Sequence, residues 1–120
     1  MKTVLTATAI FEGTTGIALL LAPAFVVSAL LGSSLVEPTG ILVGRLTGIA
    51  LISLTIICWI YRNEEYHAGG VVKSLLFYNV AAAALLVYAG TTGFSGLALW
   101  AVVLLHAGMA VWCIKALQKK

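Results

Sequence analysis

Aspartate is absent from this chain, and acidic residues are limited to Glu12, Glu37, Glu64 and Glu65. That removes the paired aspartates of intramembrane proteolysis, and no HExxH metal motif stands in for them. Charge of either sign is scarce, at 9% of the 120 residues, where ordinary soluble domains carry roughly 25%. Cysteine is limited to Cys58 and Cys113 with no CxxC spacing, which gives no disulfide framework and no zinc-type motif. Both fall near the predicted cytoplasmic helix ends, in a reducing compartment, and read as small apolar packing residues. Strict apolar–polar alternation is also missing, so the chain does not read as a transmembrane barrel.

What is present is hydrophobic. Apolar residues make up 62% of the chain, and the mean hydropathy is +1.10. A soluble domain of this length has too much surface for its volume to hide so much apolar side chain. The expected solvent, and the first expected partner, is the lipid bilayer. Four apolar stretches cover residues 4–31, 40–61, 70–90 and 94–117. Each reaches the roughly 20 residues that a helix needs to cross hydrocarbon. The expected fold is therefore all-α: a single-domain polytopic membrane protein, 1–120, built as an antiparallel bundle of four transmembrane helices. The first stretch is longer than one crossing requires, and Pro23 predicts a kink there. Short connections at 32–39, 62–69 and 91–93 predict that consecutive helices pack as antiparallel neighbours.

Lysine and arginine set the expected orientation. Lys2, Arg62, Lys73, Lys115, Lys119 and Lys120 fall on one side, and Arg45 alone lies towards the other. Both termini are then cytoplasmic, in a bacterial inner membrane. Lys2 followed by an apolar run and Ala22-Pro23-Ala24 has the outline of a signal peptide. Glu12 in mid-run, and continuation to Leu31, predict a retained span instead. The net charge of +3 is dispersed over segment ends as headgroup anchors, which argues against nucleic acid as a partner. Trp59, Tyr61, Tyr66 and Trp112 form the expected aromatic belt on the cytoplasmic side.

Ionisable groups within spans require an explanation, because charge in hydrocarbon is costly. Counting about 1.5 Å per residue from the cytoplasmic ends puts Glu12 about 12 Å deep, Asn79 about 13 Å and His106 about 16 Å. Three polar groups on three helices at one level predict a shared hydrogen-bonded cluster. Helical spacing places Thr8, Glu12, Thr15, Gly16, Leu19 and Pro23 on one face. Arg45 sits about 7 Å from the opposite surface, between Gly44 and Gly48 in a GxxxG spacing that favours close helix approach. It has three outlets: snorkelling, Glu37 as a second polar site, or Glu12 itself.

A four-helix chain of this length with a glutamate in its first span, Glu12, resembles the small multidrug resistance transporters. The resemblance implies competitive binding of protons and cationic drugs at Glu12. The third span lacks that family's glycine-rich packing motif, and His106 has no counterpart there. The segments Phe11-Glu12-Gly13, Gly44-Arg45, Gly48-Ile49-Ala50, Cys58-Trp59, Tyr78-Asn79 and Leu99-Trp100 followed by His106 are similar to small four-helix bacterial membrane proteins without an assigned activity. This second likeness implies the fold and the inner membrane only.

Two functional classes remain. One is a non-enzymatic structural or accessory membrane component, as a homo-oligomer or within a larger membrane complex, in which Glu12, Asn79 and His106 fix helix register. The other is a small proton- or cation-coupled transporter or channel using Glu12 with Asn79 and His106. No enzyme is expected, since Ser28, Ser53 and Ser74 have no base on an adjacent turn. No cofactor and no metal are expected either: His67 in a loop and His106 in mid-span are mismatched in depth as axial haem ligands.

Overall fold

Pro23 has no backbone N–H to donate, and the first apolar stretch breaks there. The computed structural model describes residues 1–119 and divides that stretch into α1 (Lys2–Leu21) and α2 (Pro23–Leu31). Ala22 between them has φ −140° and ψ 61°, outside the helical region. The expected kink is thus a complete interruption. Pro23 occupies the first position of the new helix, where a missing donor costs nothing.

Three further helices follow: α3 (Pro38–Tyr61), α4 (Glu65–Thr91) and α5 (Leu99–Gln118). All but α2 are long and apolar enough to cross a membrane. α4 starts five residues before its apolar stretch, because hydropathy marks the edge of an apolar run and not the end of a helix. Glu65 in its first turn complements the helix dipole. α5 starts later than its apolar stretch. Residues before it serve another purpose: Ser95 N–H donates to Leu31 O at 3.2 Å and Ala98 N–H to Ala29 O at 2.9 Å. These bonds satisfy carbonyls that the end of α2 leaves free. Gly96 lies so close to the Leu30 backbone that any side chain there would collide with it.

The helices associate as two pairs, α1 along α3 and α4 along α5, while α3 and α4 touch only slightly despite the short link 62–64. Neighbour packing therefore holds at two of the three connections. The α1–α3 pair is close because its contact is backbone on backbone. A Cβ on Gly16 would lie 2.8 Å from Gly48 O, and one on Gly48 2.6 Å from Gly16 O, while Gly44 makes room for Pro23 of α2. The GxxxG of α3 is used inside the chain.

Between the pairs, the core fills the end where α1 and α4 begin and α3 and α5 finish. Val4, Leu5, Cys58, Val72, Leu75 and Cys113 are fully buried there. Met1 and Lys119 line one cleft at that end, so both termini lie on the same side of the bundle; Lys120 lies outside the described residues. The outer surface is apolar, with Phe25, Phe77, Leu97 and Leu104 strongly exposed, as expected of helices whose surroundings are as apolar as their packing.

Candidate functional site

Two consecutive residues of α4 organise the polar centre. Neighbours on a helix project about 100° apart, so Tyr78 and Asn79 serve different partners. Tyr78 Oη donates to Glu12 Oε2 of α1 at 3.2 Å. Asn79 turns to α5, where its Oδ1 lies 2.9 Å from His106 Nδ1. Its amide nitrogen donates to Leu75 O one turn back, at 2.8 Å. That donation fixes which end of the amide faces the imidazole: an oxygen. His106 Nδ1 must therefore carry the proton and donate it. The Tyr78 and His106 rings meet edge to face, with centroids 5.5 Å apart. A chain of contacts thus runs from Glu12 through Tyr78 to His106 and Asn79, spanning α1, α4 and α5.

Burial follows the expected faces in the main. Thr8, Glu12, Gly16, Leu19 and Pro23 are buried on α1 and α2, as is Asn79 on α4, while Thr15 is exposed. Glu12 retains 7% of its surface and Asn79 2%, so neither has water as an easy alternative partner. His106 is half-buried, above buried Met109, Ala110 and Cys113. The structure thus joins Asn79 to His106 directly. Glu12 reaches them only through Tyr78, which the depth argument overlooked. The available signal was its position: a tyrosine in mid-helix, away from both aromatic boundaries, carries a hydroxyl that needs a partner.

Thr8, one turn before Glu12, is anomalous. Thr6, Thr14, Thr47, Ser53, Thr55 and Ser74 each donate to the carbonyl four residues back. Thr8 is 1% exposed, yet its Oγ1 has no hydrogen-bond partner. A buried hydroxyl without a partner is unfavourable. It places an unused donor and acceptor beside the only buried carboxyl group among the described residues.

Arg45 stands exposed on α3, between buried Gly44 and Gly48. The hydrogen bond to Glu12 comes from Tyr78 and not from Arg45. Glu37, also exposed, precedes the first turn of α3 without capping it by its side chain. Cys58 and Cys113 are free and buried, and both belong to the apolar core. His67 packs its ring against Tyr61 and Tyr66 at the α3–α4 turn, apart from the polar centre. Among the described residues no three His, Cys, Asp or Glu side chains are grouped so as to hold a metal ion. No protein-family model, no curated protein and no solved structure matches this chain.

Proposed function

We propose that this chain is a non-enzymatic structural or accessory component of a bacterial inner membrane, crossing it four times with both termini in the cytoplasm. One observation carries the reading. Tyr78–Glu12 joins the α1–α3 pair to the α4–α5 pair by a side-chain hydrogen bond within the buried seam. A hydrogen bond in that position fixes how two otherwise apolar surfaces register, since apolar contact is tolerant of sliding and a directed bond is not. Asn79 and His106 do the same within the second pair. Two of the three serines weighed as nucleophiles, Ser53 and Ser74, have their hydroxyls bonded to their own helices. An apolar outer surface leaves room for further copies or for a larger membrane complex.

The orientation follows from the lysine and arginine bias, because positively charged loops are retained in the cytoplasm. Single cysteines placed at exposed Lys2 and at Val36, in a background where Cys58 and Cys113 are replaced by alanine, test it in intact cells. A membrane-impermeant maleimide should label position 36 and leave position 2 unlabelled until the cells are opened. The reverse pattern would invert the topology.

A second reading is favoured by the unpartnered Thr8 hydroxyl beside Glu12. In it, Glu12 binds a proton or cation and the seam between the pairs opens, as when one helix repeat rocks against another. Proteoliposomes separate the two. A structural lock gives proton and monovalent-cation flux equal to that of empty vesicles, in wild type and in Glu12→Gln alike. Flux that appears with wild type and disappears in a folded Glu12→Gln variant would replace the lock by the transporter.

A further inference from the structure

The cytoplasmic end of the bundle holds a second polar feature, unconnected with Glu12. Between the start of α1, the α3–α4 link and the end of α5 lies an open cleft of about 850 Å³. Its lining brings together Lys2, Arg62 and Lys119 with Glu64 and Glu65. That volume lies within the roughly 300–1,000 Å³ typical of small-molecule sites.

Arg62 is the most informative of these. Its guanidinium carbon lies 3.2 Å from the centroid of the Trp59 ring, so the stacked ring holds the guanidinium plane. Its Nε is buried and has no hydrogen-bond partner. Arg62 lines the cleft while its buried Nε–H is closed to a ligand, so what a ligand meets is the guanidinium's terminal N–H groups, a fork complementary to a phosphate, whose oxygens accept two such bonds at once. The backbone adds to this. α1 and α4 both start at this cleft, at Lys2 and Glu65, and neither has a side-chain cap on its first amides. Two sets of unclaimed N–H groups and two positive dipole ends thus face the same region. Glu64 and Glu65 are exposed beside them. A simple anion would be repelled by these carboxylates. A group with phosphate at one end and a primary ammonium at the other would use both signs.

We infer that the cleft binds a phosphate ester bearing an amine, of the kind found in an aminophospholipid headgroup, with the phosphate on Arg62 and the ammonium at Glu64 and Glu65. Exposed Tyr66 lines the cleft, and Trp59, on which Arg62 stacks, is half-exposed; such rings settle at headgroup depth. The inference rests on the membrane reading. Carbonate extraction of cell membranes tests that reading separately: a chain that stays in the pellet but has no headgroup preference defeats this inference alone.

The test is native mass spectrometry of the full chain released from micelles containing equimolar phosphatidylethanolamine and phosphatidylglycerol. Wild type should retain phosphatidylethanolamine at least threefold over phosphatidylglycerol. Arg62→Gln should lose both adducts, whereas Glu64→Gln with Glu65→Gln, at exposed positions that do not endanger folding, should retain lipid without preference. Soluble glycerophosphoethanolamine identifies the source: displacement of the lipid at equal concentration points to a free ester, and failure to displace it points to the membrane. Equal retention of the two lipids by wild type would overturn the inference. So would unchanged retention in Arg62→Gln, or a preference that survives in the double glutamine variant.

Discussion

Gly48→Leu is expected to separate α1 from α3 and to produce the largest loss of stability of any single substitution considered. A Cβ at Gly48 would lie 2.6 Å from Gly16 O and 2.8 Å from Leu20 N. Both are backbone atoms of the facing helix and cannot rotate away as a side chain can. Ordinary contact between heavy atoms needs about 3.5 Å, so the helix axes must move apart and release the packing around them. Forcing extra methylenes into a close-packed contact costs about 1–3 kcal/mol, occasionally more. A leucine pressed against two backbone atoms of the facing helix belongs at or above the top of that range. Gly108 supplies the control, because a Cβ there meets nothing within 4 Å. Reversible unfolding in mixed micelles, read by far-ultraviolet circular dichroism, should show a large shift for Gly48→Leu and little for Gly108→Leu. Equal shifts would mean that helix propensity, and not the α1–α3 contact, governs the response.

The second large effect is expected at Asn79. Asn79→Leu keeps the branching at Cγ and removes the acceptor of His106 Nδ1–H, together with the donor to Leu75 O. Stranding a buried polar partner costs about 1–3 kcal/mol, whereas replacing both partners by apolar groups is close to neutral. His106→Leu on the Asn79→Leu background should therefore recover part of the lost stability. The coupling measured by the four-variant cycle should fall near the average of about 0.6 kcal/mol for hydrogen bonds between membrane helices, and not above about 1.7 kcal/mol. Strictly additive single effects would show that the two residues do not depend on each other. That result would remove His106 from the proposed register lock, leaving only the link from Tyr78 to Glu12.

These two substitutions act on different levels of the structure. Gly48 governs how closely the helices of the first pair approach. Asn79 governs the alignment of the second pair, and its neighbour Tyr78 joins that pair to Glu12. The lock proposed for this protein depends on both, since the hydroxyl of Tyr78 reaches the carboxyl group only while each pair keeps its own geometry.

Local composition and period are enough to define the elements and their chemistry. Four apolar stretches of spanning length, Pro23 as a breaker, and polar residues on three helices at one depth are all properties of local composition and period. Helical period also placed Glu12 with Thr8, Gly16 and Leu19 on one buried face, because a helix carries its faces along with it. Which neighbours actually meet, and through which side chains, was left to packing in three dimensions. The short connections at 32–39 and 91–93 already predicted α1 against α3 and α4 against α5; the slight contact of α3 with α4 depends on the shapes of whole helix surfaces, which neither loop length nor apolar pattern distinguishes. Tyr78 as the partner of Glu12 was hidden for the same reason: depth along the axis is additive in residues, but direction around it is set by packing. The turn before α5 went unseen because its residues are nearly as apolar as a helix, and only the carbonyls left free at the end of α2 explain why the backbone there is not helical.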